Sequence, residues 1–212
     1  AGYFSSYFKK PSFHPKIAKQ NTHLMFGLLR SYKSTKNPHI QKIFHTWLKT
    51  IDKKYRHSTG IHYGIYDLKR EIPYRLEIMH TINLIELLIS ASQIFGERIY
   101  LSQARSYADS VIKTLTKDNL LLLFPYPEDD LNDPKVKTMK KDYNYYSLDP
   151  QIDFAVNLLK LGQITGLEEY TKVAEKILNS TIVNFKHGNS YTEMVSSLNG
   201  NKWDVVRTKY LG

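Results

Sequence analysis

Gly96-Glu97-Arg98-Ile99-Tyr100-Leu101-Ser102-Gln103-Ala104 and, seventy residues on, Gly166-Leu167-Glu168-Glu169-Tyr170-Thr171-Lys172-Val173-Ala174 share one pattern, Gly-x-x-x-Tyr-x-x-x-Ala. A long apolar stretch runs into each glycine, with Leu84 and Leu88 matched by Phe154 and Leu158 at the same offset. A third copy, sixty residues earlier, sets Leu24 and Leu28 against Ile40 and Phe44 and lacks the glycine. Tyr and Ala four apart fall on one helix face, and a glycine between two helical stretches marks where one ends and the next begins. A repeat of 60 to 70 residues built from two helices predicts stacked helical hairpins. The expected fold class is all-α, with three consecutive hairpins at about 15–55, 72–116 and 149–186 inside one helical domain over 1–212.

Outward from those words the pattern continues. Residues 1–14 are aromatic and irregular, with Phe4, Tyr7, Phe8 and Phe13 expected to strap over a neighbouring surface. Pro15 suits the first turn of a helix reaching about Ser31, since the N–H it lacks would be unpaired there anyway. Ile40, Ile43, Phe44, Trp47, Leu48 and Ile51 mark a second helix over about 39–54 by their 3.6-residue period. Pro73 is expected to open the third, apolar on more than one face and therefore buried. The fourth and sixth are amphipathic, with Tyr100 and Tyr170 in their cores, and the fifth runs from Asp149, read as its N-cap, to Thr165. Residues 119–148 read as a long loop carrying an acidic run and the cluster from Lys135 to Lys141.

Composition narrows function without fixing it. A 42% hydrophobic content over 212 residues supports a folded core. Thirty Lys and Arg against twenty Asp and Glu give a formal charge of +10, which attracts polyanions, acidic lipid or uronate and sulfate sugars. No cysteine is present, so disulfides, thiolate zinc sites and cysteine nucleophiles are excluded. No apolar run approaches the roughly 20 residues of a bilayer span, so no membrane partner is expected. A chain that starts Ala1-Gly2 without methionine reads as processed or as a piece of a longer protein. There is no phosphate-cradling glycine loop, no His-Glu-x-x-His and no spaced calcium loop, so neither cofactor nor metal is expected. Nucleic acid is not favoured, because no binding module accompanies the basic charge.

The words Glu97-Arg98-Ile99-Tyr100-Leu101-x-x-Ala104 leading to Leu123-Phe124-Pro125-Tyr126, and Glu168-Glu169-Tyr170-x-x-x-Ala174 leading to His187-Gly188-Asn189-Ser190-Tyr191, resemble the six-hairpin, or (α/α) toroid, glycosidases with their lyase and epimerase relatives. The resemblance covers most of residues 15–212 and implies inner helices returning through outer ones, with sugars bound where inner helices begin. Three hairpins are half of six. Val206 to Gly212 resembles the approach to a fourth inner helix, which implies a fragment, a ring completed by a second chain or, least demanding, an open curved helical array. Ile65-Tyr66-Asp67-Leu68-Lys69, followed by Tyr74, His80, Thr81 and Asn83, is similar to a stretch in the carboxyl-terminal helical domain of glucuronyl C5-epimerases.

Candidate residues follow from the repeat. His23, Asn83 and Asp153 hold one equivalent position on three inner helices and are read as contacts facing substrate. Asp149 and Asp153 share a helix face, whereas glycoside hydrolysis needs two carboxylates across the bond, about 5 to 9.5 Å apart. Asp153 is therefore paired with Asp67 or Glu77. Tyr63, Tyr66, Tyr74, Tyr145 and Tyr146, among sixteen tyrosines, lie in loops or at inner-helix starts, where flat rings suit sugars. For elimination or epimerisation of a uronate, Arg75 would neutralise the carboxylate while His80, His62 or Tyr66 moves the proton. The expected catalytic set is Asp153, Asp67, His80 and Tyr66, and the binding set His23, Tyr63, Tyr74, Arg75, Asn83, Tyr145 and Tyr146. The leading expectation is a carbohydrate-active protein. The alternatives are a uronyl lyase or epimerase and a non-catalytic helical-repeat scaffold for a protein or polyanion.

Overall fold

Asn37 and Pro38 show how the first hairpin turns. The Asn37 carboxamide accepts the N–H of His39 at 3.0 Å, and Pro38 occupies the first helical position. The computed structural model of the chain describes residues 17–67, 72–122, 143–187, 189–192, 194–198 and 202–205, with side chains over 22–64, 76–122, 146–186 and 189–192. Among these residues six helices form three consecutive hairpins: α1 Ile17–Thr35 with α2 Pro38–Tyr55, α3 Ile78–Phe95 with α4 Arg98–Ile112, and α5 Leu148–Thr165 with α6 Glu168–Phe185. The architecture is all-α, as the repeat predicts. Gly96 and Gly166 end α3 and α5 at φ of 75° and 73°, and their N–H groups donate to Ser92 O and Gly162 O. The left-handed conformation is easy only for glycine, which is why both copies of the motif open on one. Glu168 and Glu169 in the first turn of α6 complement the positive end of its dipole.

The chain divides into two compact units, 1–111 and 112–212. In the first, α1 packs on α2 and α3, and the rings of Tyr32, Phe44, Phe95 and Tyr100 meet edge to face or tilted at 4.7 to 5.6 Å, tying four helices together at their turn ends. α3 buries residues on nearly every side. Its 18 residues have a mean hydropathy of 1.4, enough by length and composition to cross a bilayer, and 56% of that window is buried as the core of this unit. The sequence expectation that no such helix exists is corrected to that extent. In the second unit α5 packs on α6, and Leu120, Tyr146 and Phe185 form a buried cluster with Leu122 and Leu148 against it. Gln151 is fully buried, and its amide accepts Leu121 N–H at 2.8 Å and donates to Leu121 O at 2.8 Å and Ser147 O at 3.1 Å. A segment without regular structure is thereby fastened to the first turn of α5.

Short strands lie where inner helices begin. β1 Tyr63–Asp67 and β2 Ile72–Leu76 pair antiparallel just before α3, and β3 Tyr143–Ser147 runs into α5. β4 Lys186–His187 pairs with β5 Ser190–Tyr191 after α6, while β6 Met194–Leu198 lies between β3 and β7 Lys202–Val205 in a three-stranded sheet. Three sequence expectations change here. Pro73 sits in β2 and α3 starts five residues later, because a fixed φ near −65° suits a two-stranded edge as well as a helix start. Ser147 occupies the N-cap position of α5 and Asp149 lies within the first turn. The end of the expected loop and the polar tail form strands rather than irregular chain. Pro15, the aromatic stretch 1–14, the lysine cluster at 135–141 and residues 206–212 lie outside the described residues.

Candidate functional site

Asp52, on the last turns of α2, gathers a polar cluster inside the first unit. Its carboxylate accepts hydrogen bonds from Tyr107 Oη and Gln103 Nε2 of α4, and Arg56 Nη1 stands 4.0 Å away. The Arg56 guanidinium also lies 4.9 Å from the Tyr107 ring centroid and donates to Ser106 Oγ at 3.2 Å. Burial pushes the Asp52 carboxyl up, but the nearby His62 ring, the hydrogen bond from Tyr107 and the Arg56 charge outweigh it and hold the group below its usual range. Burial first, and then Asp52, push the Tyr107 phenol far above its ordinary value, so it stays a donor.

His62 links this cluster to the start of α3. It is fully buried, with Nε2 3.6 Å from Asp52 Oδ1, its backbone N–H donating to Thr81 Oγ1 at 2.9 Å and Nδ1 3.4 Å from the same hydroxyl. A Thr81 hydroxyl that donates to Nδ1 leaves the proton of the neutral ring on Nε2, facing the carboxylate. Burial lowers the His62 pKa, against the opposing pull of Asp52. The His62 carbonyl accepts the Glu77 N–H at 3.2 Å, so the same residue fixes the backbone on which α3 begins.

His80 lies in the first turn of α3, 1% exposed, its ring 6.0 Å from that of His62 at 88°. Both ring nitrogens are buried, and neither has a hydrogen-bond partner among the described residues. Burial, and then the neighbouring His62, hold its pKa well below the ordinary 6.5, so the ring is neutral near neutral pH. A neutral imidazole with both nitrogens uncommitted can take one proton and give another, which is the equipment of a general acid or base.

The other expected site residues of this unit divide by depth. The β1–β2 register pairs Ile65 with Arg75, Tyr66 with Pro73 and Asp67 with Ile72, so Tyr66, Asp67, Tyr74 and Arg75 share one ribbon that joins α3 through Glu77. Their side chains lie outside the described residues. Tyr63 is buried, with His57 edge to face at 5.7 Å. Asn83 is half-buried on α3 and His23 is exposed on α1. In the second unit Asp149 and Asp153 are exposed on α5 and Tyr146 is a core residue. Tyr145 lies on β3, its side chain outside the described residues. At the turn end of the first unit an open pocket of about 380 Å³ is lined by Pro38, Gln41, Lys42, His45, Glu97 and Tyr100. Gln41 bonds Glu97 there, and burial, then Glu97, push the Tyr100 phenol up to about 12. Among the described residues no group of three or more His, Asp or Glu stands together to hold a metal.

Sequence reasoning missed Asp52, Gln103 and Tyr107. One signal was present: Tyr107 falls seventy residues before Ile177, a buried station of α6, and a phenol at a core station needs a buried partner. Nothing in the sequence pointed to Asp52 as that partner.

No family model matches the sequence, and no curated protein matches it significantly. Solved structures do match by fold. An α-mannanase of glycoside hydrolase family 76 from Bacteroides thetaiotaomicron superposes with a TM-score of 0.67 at 14% identity, over 90% of this chain and 52% of that one. A sugar epimerase from a ruminal bacterium gives 0.65 at 12%, over 87% and 48%. An unsaturated glucuronyl hydrolase from Bacillus sp., responsible for degradation of glycosaminoglycan, gives 0.61 at 11%, over 82% and 49%. The chain spans about half the length of these structures. The likeness, at 11 to 14% identity, is one of fold: the described helical hairpins are like those of these (α/α)6 toroid structures.

Proposed function

We propose that this chain belongs to a carbohydrate-active protein and that its sugar site lies at the amino-terminal end of α3, where His80 adjoins the β1–β2 ribbon. The observation that carries the proposal is the His80 ring, buried with neither nitrogen hydrogen-bonded among the described residues. Folded proteins pair nearly all buried polar groups, and the exceptions concentrate where a group is kept for chemistry. The fold supports the ligand class, since the mannanase, the epimerase and the glucuronyl hydrolase with this fold all act on sugars. The charge of +10 favours an acidic sugar.

In this proposal His80 moves a proton, with Tyr66 as its partner and Asp67 as the carboxylate of the ribbon. Arg75 meets a uronate carboxylate, and Tyr74, Asn83 and His23 contact the ring and hydroxyls. Tyr63, being buried, supports the ribbon from beneath. On the third hairpin Asp153 and Tyr145 take the corresponding places at the start of α5, with Tyr146 beneath them. The three hairpins belong to one helical domain, and either a further segment of a longer protein or a second chain would supply the hairpins of a closed ring.

The test is binding of uronate-containing and neutral oligosaccharides by titration calorimetry, with the unmodified chain and with His80→Leu. The expected result is binding that favours the uronate and weakens at least about tenfold in the variant, the loss typical of a removed charged or paired hydrogen bond. Equal binding by His80→Leu would refute the site. Absence of binding to every sugar would refute the ligand class. Binding that tracks only salt concentration, indifferent to His80, would favour a polyanion scaffold.

A further inference from the structure

Two buried histidines stand side by side in the first unit, and their surroundings differ in what they offer a charged ring. His62 and His80 are both fully buried, with ring centroids 6.0 Å apart. Around His62, Asp52 Oδ1 lies within ion-pair range of Nε2 at 3.6 Å, and Thr81 Oγ1 lies 3.4 Å from Nδ1. Each of its nitrogens therefore faces an oxygen that can draw an N–H. Around His80 neither nitrogen has a hydrogen-bond partner among the described residues. An imidazolium donates from both nitrogens. The charged form is thus provided for at His62, whereas at His80 it would leave two buried donors unmet.

The charges nearby point the same way. The titratable and charged groups facing His62 are Asp52 and Arg56 from the end of α2, Tyr107 from α4, whose ring centroid is 4.6 Å away, and His80 from α3. Tyr107 stays a neutral donor to Asp52. Arg56 opposes a charge on His62, but its Nη1 stands 4.0 Å from Asp52 and its side chain is partly exposed, so water weakens the repulsion. Asp52 is the anion of the group, and an opposite charge at this range favours the charged imidazole. His80 faces His62 and no carboxylate. Burial disfavours a charge on both rings, and only His62 has a neighbour that offsets it.

We propose that His62, held between Asp52 and Thr81, is a positioning residue that keeps His80 neutral: a proton entering this interior as pH falls resides on His62, and its charge there excludes a second proton from His80. The proton comes from water and goes to Nδ1, since Nε2 of the neutral ring already carries one. Thr81 accommodates both states. With His62 neutral, its hydroxyl donates to Nδ1; with His62 charged, the hydroxyl turns and accepts Nδ1–H beside the His62 backbone N–H that it already accepts at 2.9 Å. That backbone bond, and the one from Glu77 N–H to the His62 carbonyl, stay in place, so the start of α3 is preserved. The effect is to hold His80 as an uncharged acceptor and donor at pH values where an ordinary histidine is charged. The use of a neutral His80 rests on the proposed function, whereas the location of the proton does not.

Histidine ring resonances of the labelled full chain, assigned by triple-resonance NMR and followed from about pH 8 to about pH 4, test this. The expected order is His62 first, with His80 charging only at lower pH. Asp52→Asn keeps the shape and removes the anion, and should lower the proton affinity of His62 at least about tenfold. His62→Gln removes the like charge beside His80 and should raise the proton affinity of His80 about tenfold or more. The order in the unmodified chain decides even if a variant fails to fold. His80 charging first, or both rings in one step, overturns the inference. So does a His62 signal indifferent to Asp52→Asn, a His80 signal indifferent to His62→Gln, or unfolding before His62 takes its proton. Calorimetry with uronate oligosaccharides over the same pH range separates the two proposals, and His62→Gln should lose binding at a higher pH than the unmodified chain. The expected titrations without any sugar binding refute only the site, and sugar binding with the titration order reversed refutes only this inference.

Discussion

Replacing His80 by leucine should make the first unit more stable, although it removes a buried residue from the core. Leucine has a similar volume and no polar atom, whereas the imidazole holds two nitrogens out of water with no hydrogen-bond partner among the described residues. Unmet buried polar groups cost about 1 to 3 kcal/mol, so His80→Leu should gain about that much, or roughly 2 to 10 °C at the midpoint for a chain of this size. A second part concerns pH. The folded pKa of His80 lies below its ordinary 6.5, so the unfolded chain binds a proton that the folded chain does not. The contribution of His80 is therefore fully present above 6.5 and lost as pH falls below it, at up to about 1.4 kcal/mol per pH unit. Between about pH 7.5 and about pH 5.5 the loss from this residue is about 1.4 kcal/mol, and the variant should lack it. Urea unfolding followed by Trp47 fluorescence in a Trp203→Phe background reads the first unit, since Trp47 is buried there. A variant destabilised by more than about 1 kcal/mol, or one with an unchanged pH slope, would show that the ring is a satisfied packing residue and would refute the argument.

Tyr107→Phe removes the hydroxyl that donates to Asp52 and should cost about 1.5 to 3 kcal/mol, the value of a hydrogen bond to a charged group, in the same unfolding assay; a change below about 0.5 kcal/mol would mean the cluster is not held through the phenol. Gln151→Leu leaves the Leu121 N–H and C=O without their side-chain partner and should lower the stability of the second unit by about 2 to 4 kcal/mol, read by thermal melting. Gly166→Ala meets no neighbour within 4 Å but must keep φ near 73°, so its cost should be confined to about 1 to 2 kcal/mol of backbone strain; a larger loss would reveal a contact the helix end does not show.

The repeated words proved reliable because each encodes something local. Gly96 and Gly166 stop helices by a conformation glycine alone adopts easily, and Tyr100 and Tyr170 with Ala104 and Ala174 lie buried on the faces their spacing dictates. Pro73 misled because its ring fixes one dihedral that a strand and a helix start both accept, and only pairing with Tyr66 across β1 decides between them. His80 was legible as a candidate by type and position, but its unpartnered nitrogens were not, since partnership depends on what other elements bring near. His62 was one option among several histidines until Thr81 and Asp52 came to it from α3 and α2.

The sequence by itself therefore determined the hairpins, their number and their stops, because helical periodicity and caps act between residues a few positions apart. Tertiary structure alone decided that Asp52, His62 and Tyr107 form one cluster and that His80 is buried beside it with no hydrogen-bond partner among the described residues. Those outcomes depend on chain segments tens of residues apart meeting in space, and burial, which sets their electrostatics, exists only after they have met.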